Sequence, residues 1–161
     1  MNWTITGINT VNYIRVDLSG KFCMAGARAA SMEVVDEPFW NNGTSILLDY
    51  TLVDVDDADV MDVEGMSMMM RSLNEKISTS KIAIVGSSDL QFGFARQFQM
   101  KAERHTRAHI RAFRFDPAAI EWLTTDSFHD GQQVSPPSFD AAIFASRAHI
   151  SGRLGNNLAA G

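Results

Sequence analysis

The hydrophobic positions change period several times along the chain, and each change marks an element. Residues 13 to 18 run Tyr-Ile-Arg-Val-Asp-Leu before Ser19-Gly20. This alternation predicts a strand with one buried face and a turn behind it. Trp3 to Thr6 is its expected hairpin partner. From Ala25 to Asp36 an alanine-rich stretch with Met32, Val34 and Val35 predicts a helix that ends before Pro38, because proline has no N–H to donate. Asn41-Asn42-Gly43 is a turn. Ser45 to Tyr50, built on Ile46, Leu47 and Leu48, has the nearly continuous apolar character of a central strand covered on both faces.

The longest helical signal spans residues 57 to 79, where Met66, Met69, Met70, Leu73 and Ile77 recur at steps of three and four. Lys81 to Val85 reads as a second buried strand. Ser88 and Gln91 form a capping box that opens a helix running to about Ala102, with Leu90, Phe94 and Phe98 at four-residue steps. Ile110 to Phe115 predicts another strand. Asp116-Pro117 starts a short helix with proline at its first position and apolar contacts from Ile120, Trp122 and Leu123.

This order of strands and helices requires crossover connections, so the class is α/β: a small mixed or mostly parallel sheet with helices packed on it. The domain is expected over residues 1–124. Thr124 to Ser138, with Pro136-Pro137, has linker chemistry. Residues 125–161 are then a linker and tail, expected either as a short helix built on Phe139, Ile143, Phe144, Ile150 and Leu154 or as a disordered segment.

Composition narrows the function classes. The 161 residues are 45% hydrophobic and 20% charged, with a net charge of −5, which fits one globular domain and speaks against general attraction to nucleic acid or anionic lipid. No stretch is long and apolar enough for a membrane span, and no leader pattern opens the chain. One cysteine, Cys23, excludes an internal disulfide, so the expected address is the cytoplasm.

The sharpest chemical feature is acidic. Asp49, Asp54, Asp56, Asp57, Asp59, Asp62 and Glu64 lie in a window, residues 41–70, that has no Lys or Arg. Counted from Asp54, the sixth position is Asp59 and the twelfth Gly65, so the tract does not match a calcium loop. Asp57, Asp59 and Asp62 suit the start of a helix as caps, and the acidic tract also suits a docking or divalent-ion surface.

A second row on the Met-rich helix, Met61, Gly65, Met68 and Ser72, lies beside the core stripe and suits a partner helix or an oily ligand. Arg96, Lys101, Arg104, Arg107, Arg111 and Arg114 make a basic stretch whose simplest role is to complement the acidic tract, across a dimer for instance. His105 and His109 have no third ligand, so no metal is expected. Neither Gly65 to Met69 nor Gly86 to Leu90 closes a nucleophile elbow, and Gly86 to Gly93 matches neither a phosphate loop nor a dinucleotide fingerprint. No cofactor is expected.

The segments Ile14 to Gly20, Ile46 to Thr51 with Val53-Asp54-Val55, Lys81 to Gly86, Phe92 to Phe98 and Phe113 to Leu123 resemble SpoIIAA-like proteins of the STAS/CRAL-TRIO-related type. The resemblance covers residues 11–124 and implies a small sheet with packed helices and a bacterial origin. STAS relatives carry Asp-Ser-Ser-Gly at the start of the second helix, where phosphorylation of a serine controls partner binding. The matching stretch here is Asp56-Asp57-Ala58-Asp59, which has no hydroxyl. The expectation is a non-enzymatic binding or regulatory module, a homodimer, contacting an unknown protein through Asp54, Asp56, Asp57 and Asp59. The alternative is a carrier of a small hydrophobic or lipid ligand, as CRAL-TRIO relatives are, lined by Met61, Met68 and Phe92.

Overall fold

A computed structural model describes residues 1–8, 13–125 and 148–149. Its elements are β1 (Asn2–Ile8), β2 (Tyr13–Lys21), α1 (Met24–Asp36), β3 (Ser45–Asp54), α2 (Val60–Ile77), β4 (Lys81–Val85), α3 (Asp89–Ala102), β5 (His109–Phe113), α4 (Asp116–Thr124) and β6 (Ala148–His149). Among the described residues they form one sheet in the order β5-β4-β3-β2-β1-β6. Strands β2 to β5 are parallel, while β1 pairs antiparallel with both β2 and β6. The sheet is mixed and mostly parallel, and β3 is central as its apolar run implied. The predicted linker and tail helix lie outside the described residues, apart from Ala148–His149.

The topology places the helices. From β2 to β5 the chain steps one strand at a time in one direction, and right-handed crossovers taken in one direction put successive helices on one face. Accordingly α1, α2 and α3 cover a face built from Ile5, Val16, Ile46, Tyr50, Ile82, Ile84 and Ile110. Their alternate neighbours Tyr13, Leu47, Ala83, Val85 and Phe113 form a smaller core under α4. Pleat alternation thus divides β2, β3, β4 and β5 between two cores.

Local chemistry sets the helix ends. Helix α1 stops at Asp36 with Pro38 just beyond it, and Gly43 in the following turn adopts φ +89°, a conformation open to glycine. Helix α4 starts with proline at its first turn, and at its other end the buried Lys81 donates to the carbonyls of Trp122 (3.1 Å) and Thr125 (2.5 Å). That ammonium satisfies carbonyls the helix cannot bond itself and complements the negative end of its dipole.

Candidate functional site

Parallel strands end together, so the loops after β2, β3, β4 and β5 share the carboxyl edge of the sheet, where open α/β sheets form their crevices. The loop after β3 carries the acidic tract. Asp54 accepts from the Asp56 N–H at 3.0 Å and turns the chain. Asp59 is the N-cap of α2: it accepts from the N–H groups of Met61 (2.7 Å) and Asp62 (3.0 Å), and Asp62 accepts from the Asp59 N–H at 3.1 Å. This reciprocal box satisfies three N–H groups at and just inside the helix start. Asp57 pairs with Lys21, whose ammonium holds the carboxyl below its ordinary range. The Asp56 carboxylate stays exposed, with no side-chain partner among the described residues. Asp59 therefore shapes the loop, while Asp54, Asp56 and Asp57 show their charge to solvent.

The same edge exposes large apolar side chains. Leu52 (74% exposed), Met61 (73%), Phe115 (68%) and Val60 (60%) are the most exposed large hydrophobic residues among those described, and Leu90 (53%) joins them at the start of α3. Leu52 owes its position to a bulge. Asp17 faces Asp49 but Ser19 faces Leu52, so β3 carries one extra residue and Leu52 emerges on the α4 side of the sheet. Strand β4 ends at Val85, opposite Asp49, which leaves β3 beyond that point without a neighbouring strand on the β4 side among the described residues. Gln91 replaces the missing strand. Its Nε2 donates to the carbonyls of Thr51 (3.2 Å) and Val53 (2.9 Å), while its Oε1 accepts from the Ser88 N–H in the capping box. Gly86 permits this approach, since a Cβ there would lie 2.8 Å from the Gln91 backbone carbon.

On the α4 side, the half-buried Arg15 donates to Asp49 (2.5 Å), Asp116 (2.6 Å) and Asp17 (2.6 Å). Asp49 also accepts from the Thr51 N–H and hydroxyl. Burial works against the Arg15 charge, but hydrogen bonds to Asp116 and Asp17 outweigh it and hold the guanidinium above its ordinary value. The cluster ties β2, β3 and the start of α4 together. Sequence reasoning missed it, although Arg15 and Asp17 at alternate positions of one strand were the available signal.

The residues read as ligand-binding do not gather around one space. Met61 and Met68 are exposed on α2, and Phe92 is half-buried under Arg114, whose guanidinium lies 4.5 Å from the ring centre. A void of about 40 Å³ lies instead between the sheet, α1 and α2, lined by the core-stripe methionines Met66, Met69 and Met70. Within the chain the basic stretch meets one acid of the tract, through Lys101 and Glu64, while Arg114 pairs with Asp89 outside it. Among the described residues no group of three or more His, Cys, Asp or Glu side chains is placed to hold a metal ion, and no helix is long and apolar enough to cross a membrane.

No family model matches the chain, and no curated protein matches it. Among solved structures it is similar to an uncharacterized protein from the DUF3478 family with a SpoIIAA-like fold, from Shewanella loihica PV-4. The likeness has a TM-score of 0.46 and 16% sequence identity, and covers 69% of this chain and 83% of that one.

Proposed function

We propose that the protein is a non-enzymatic binding or regulatory module that acts through protein contact at the carboxyl edge of its sheet, around the acidic loop and the start of α2. The observation that carries this reading is the concentration of exposed apolar side chains, Leu52, Val60, Met61, Leu90 and Phe115, at the edge that also holds Asp54, Asp56, Asp57 and Asp89. Exposed apolar groups set among charged ones match the anatomy of a contact surface. The charge selects the partner. Asp57 and Asp89 are paired with Lys21 and Arg114 of the same chain, so Asp54 and Asp56 supply the charge left without a cation among the described residues, and the favoured partner is a protein with a basic rim around an apolar centre. With no serine or threonine in Asp56-Asp57-Ala58-Asp59, the charge is permanent and the contact runs without a phosphorylation switch at that place.

The test is a photo-crosslinking amino acid introduced at Met61, with Glu75, exposed farther along α2, as the control position. In cell extract the residue-61 probe should yield one discrete adduct that Asp56→Lys with Asp57→Lys removes, while the residue-75 probe should not. The same adducts from both positions, or an adduct indifferent to the charge reversal, would reject this contact face.

A further inference from the structure

The two edges of the sheet differ. Strand β1 is paired with β6, whereas β5 has a strand neighbour only on its β4 side among the described residues. Hydrogen bonds fix which β5 groups turn outward. His109 donates to the Ser80 carbonyl (2.9 Å) and the Phe113 carbonyl accepts from the Gly86 N–H (3.0 Å), so the backbone groups of residues 109, 111 and 113 face β4 and those of Ile110 and Ala112 face away. Gln99 agrees with this direction: its Oε1 accepts from the Ala112 N–H at 3.2 Å, in the place of a strand. The N–H and C=O of Ile110 have no such substitute and no partner among the described residues, although the residue is only 4% exposed. Backbone groups so placed are nearly always paired, and on a sheet edge they are a template for another strand.

A cleft of about 280 Å³ crosses this edge. Arg96, Gln99 and Glu103 of α3 line one side, Trp122 of α4 the other, and Ala108 to Arg111 lie between them. Helices α3 and α4 pack on opposite faces of the sheet, so the cleft passes over the strand edge where Ile110 turns its backbone groups.

Charge decides what the cleft accepts. The Arg111 guanidinium lies 5.2 Å from the Phe113 ring centre and Arg96 donates to Gln99 Oε1, and neither has a carboxylate partner among the described residues. Glu103, the one acid among the residues lining the cleft, accepts from Gln99 Nε2 at 3.1 Å. The occupant that complements this lining brings carboxylates. The β5 strand of a second copy does not, since residues 104–114 hold four arginines and no acid.

We propose that the β5 edge is a docking groove for an extended acidic segment of another protein, which adds as a strand beside β5. Ile110 supplies the backbone pairing, Trp122 an apolar wall, and Arg96 and Arg111 the charge selection. None of these residues belongs to the carboxyl-edge face, so the inference does not rest on that reading.

The test uses the full chain labelled with ¹⁵N and synthetic peptides: Val-Asp-Val-Asp-Val-Asp, its counterpart with Lys for Asp, and the acidic peptide methylated at every backbone nitrogen. The acidic peptide should shift the Ile110 and Ala112 amides saturably and slow the exchange of the Ile110 N–H with solvent. The Lys peptide should bind about tenfold more weakly or worse, through like charge. The methylated peptide should lose at least about fivefold, the effect of one ordinary hydrogen bond. Arg96→Glu with Arg111→Glu, both at exposed positions, should reverse the preference between the two charged peptides. Shifts centred elsewhere, equal binding of the methylated peptide, or an unchanged preference in the double variant would overturn the proposal. So would an Ile110 amide already protected in the free chain, since another segment or a second copy would then hold the edge.

Discussion

At the scale of single residues, the acidic loop separates into carboxylates that shape the chain and carboxylates that face outward. Asp59 accepts two N–H groups at the start of α2, so Asp59→Ala should cost about 1 kcal/mol, the ordinary worth of an N-cap, and lower the midpoint of thermal unfolding by about 2–4 °C. Asp56→Ala, which removes an exposed carboxylate without a partner, should change stability by less than about 0.5 kcal/mol. Thermal or urea unfolding of the two variants checks the contrast. Equal losses would mean that the whole tract is structural.

Glu64 gives a pH prediction with a definite sign. Its pairing with Lys101, first through the hydrogen bond and then through the charge, holds its carboxyl below the ordinary 4.5. A carboxyl depressed in the folded state contributes stability that is present above its unfolded value and lost as the pH falls through its folded value. NMR titration of the Glu64 side chain should therefore show a midpoint below 4.5, and Lys101→Met should move it upward.

Residue-level legibility followed sequence distance. The Ser88–Gln91 box and the caps at Asp59 and Asp62 involve neighbours three positions apart, and such motifs stand in the sequence itself. The Arg15 cluster joins residues 34 and 101 positions away, and it exists because the strand register sets Asp17 beside Asp49.

Among the elements, periodicity located most strands and helices because their buried faces are continuous. Strand β4 and helix α3 match their predicted limits, and Val63, Met66, Met70, Leu73 and Ile77 form the buried side of α2. The second row behaves otherwise: Met61 and Met68 face solvent, and Gly65 makes room for Met24 of α1. Leu90 shares the spacing of Phe94 and Phe98 yet lies exposed, since it stands in the first turn of α3, beyond the edge of the sheet. Strand β3 runs four residues past Tyr50; the bulge breaks the alternation there, and the pattern stops looking like a strand.

Two glycines, one at the β4–α3 junction and one within α3, test this packing. At Gly86 a methyl would meet the Gln91 backbone at 2.8 Å, so Gly86→Ala should destabilise by about 1–3 kcal/mol through overpacking and displace the start of α3. At Gly93, within α3, an added Cβ meets nothing within 4 Å, and Gly93→Ala should stabilise by about 0.5–1 kcal/mol through helix propensity. Urea denaturation of the pair checks both signs.

Among the described residues there are two unequal cores, three helices against one face of the sheet and α4 against the other, with the loops of four parallel strands collected at one end. The class and the mostly parallel sheet were legible from the order of elements, because crossovers follow from alternating strands and helices. The concentration of Leu52, Val60, Met61, Leu90 and Phe115 at the carboxyl edge was not, since it appears only once the strands lie side by side.

Hydrogen exchange of the protein, free and bound to the partner that the residue-61 probe captures, tests that edge as a surface. Protection should rise in the loops at residues 21–24, 54–63, 86–91 and 114–117 and stay unchanged on the outer faces of α1 and α4. Protection confined to α1, α4 or the β5 edge, with the carboxyl-edge loops exchanging as before, would show that the protein meets its partner elsewhere.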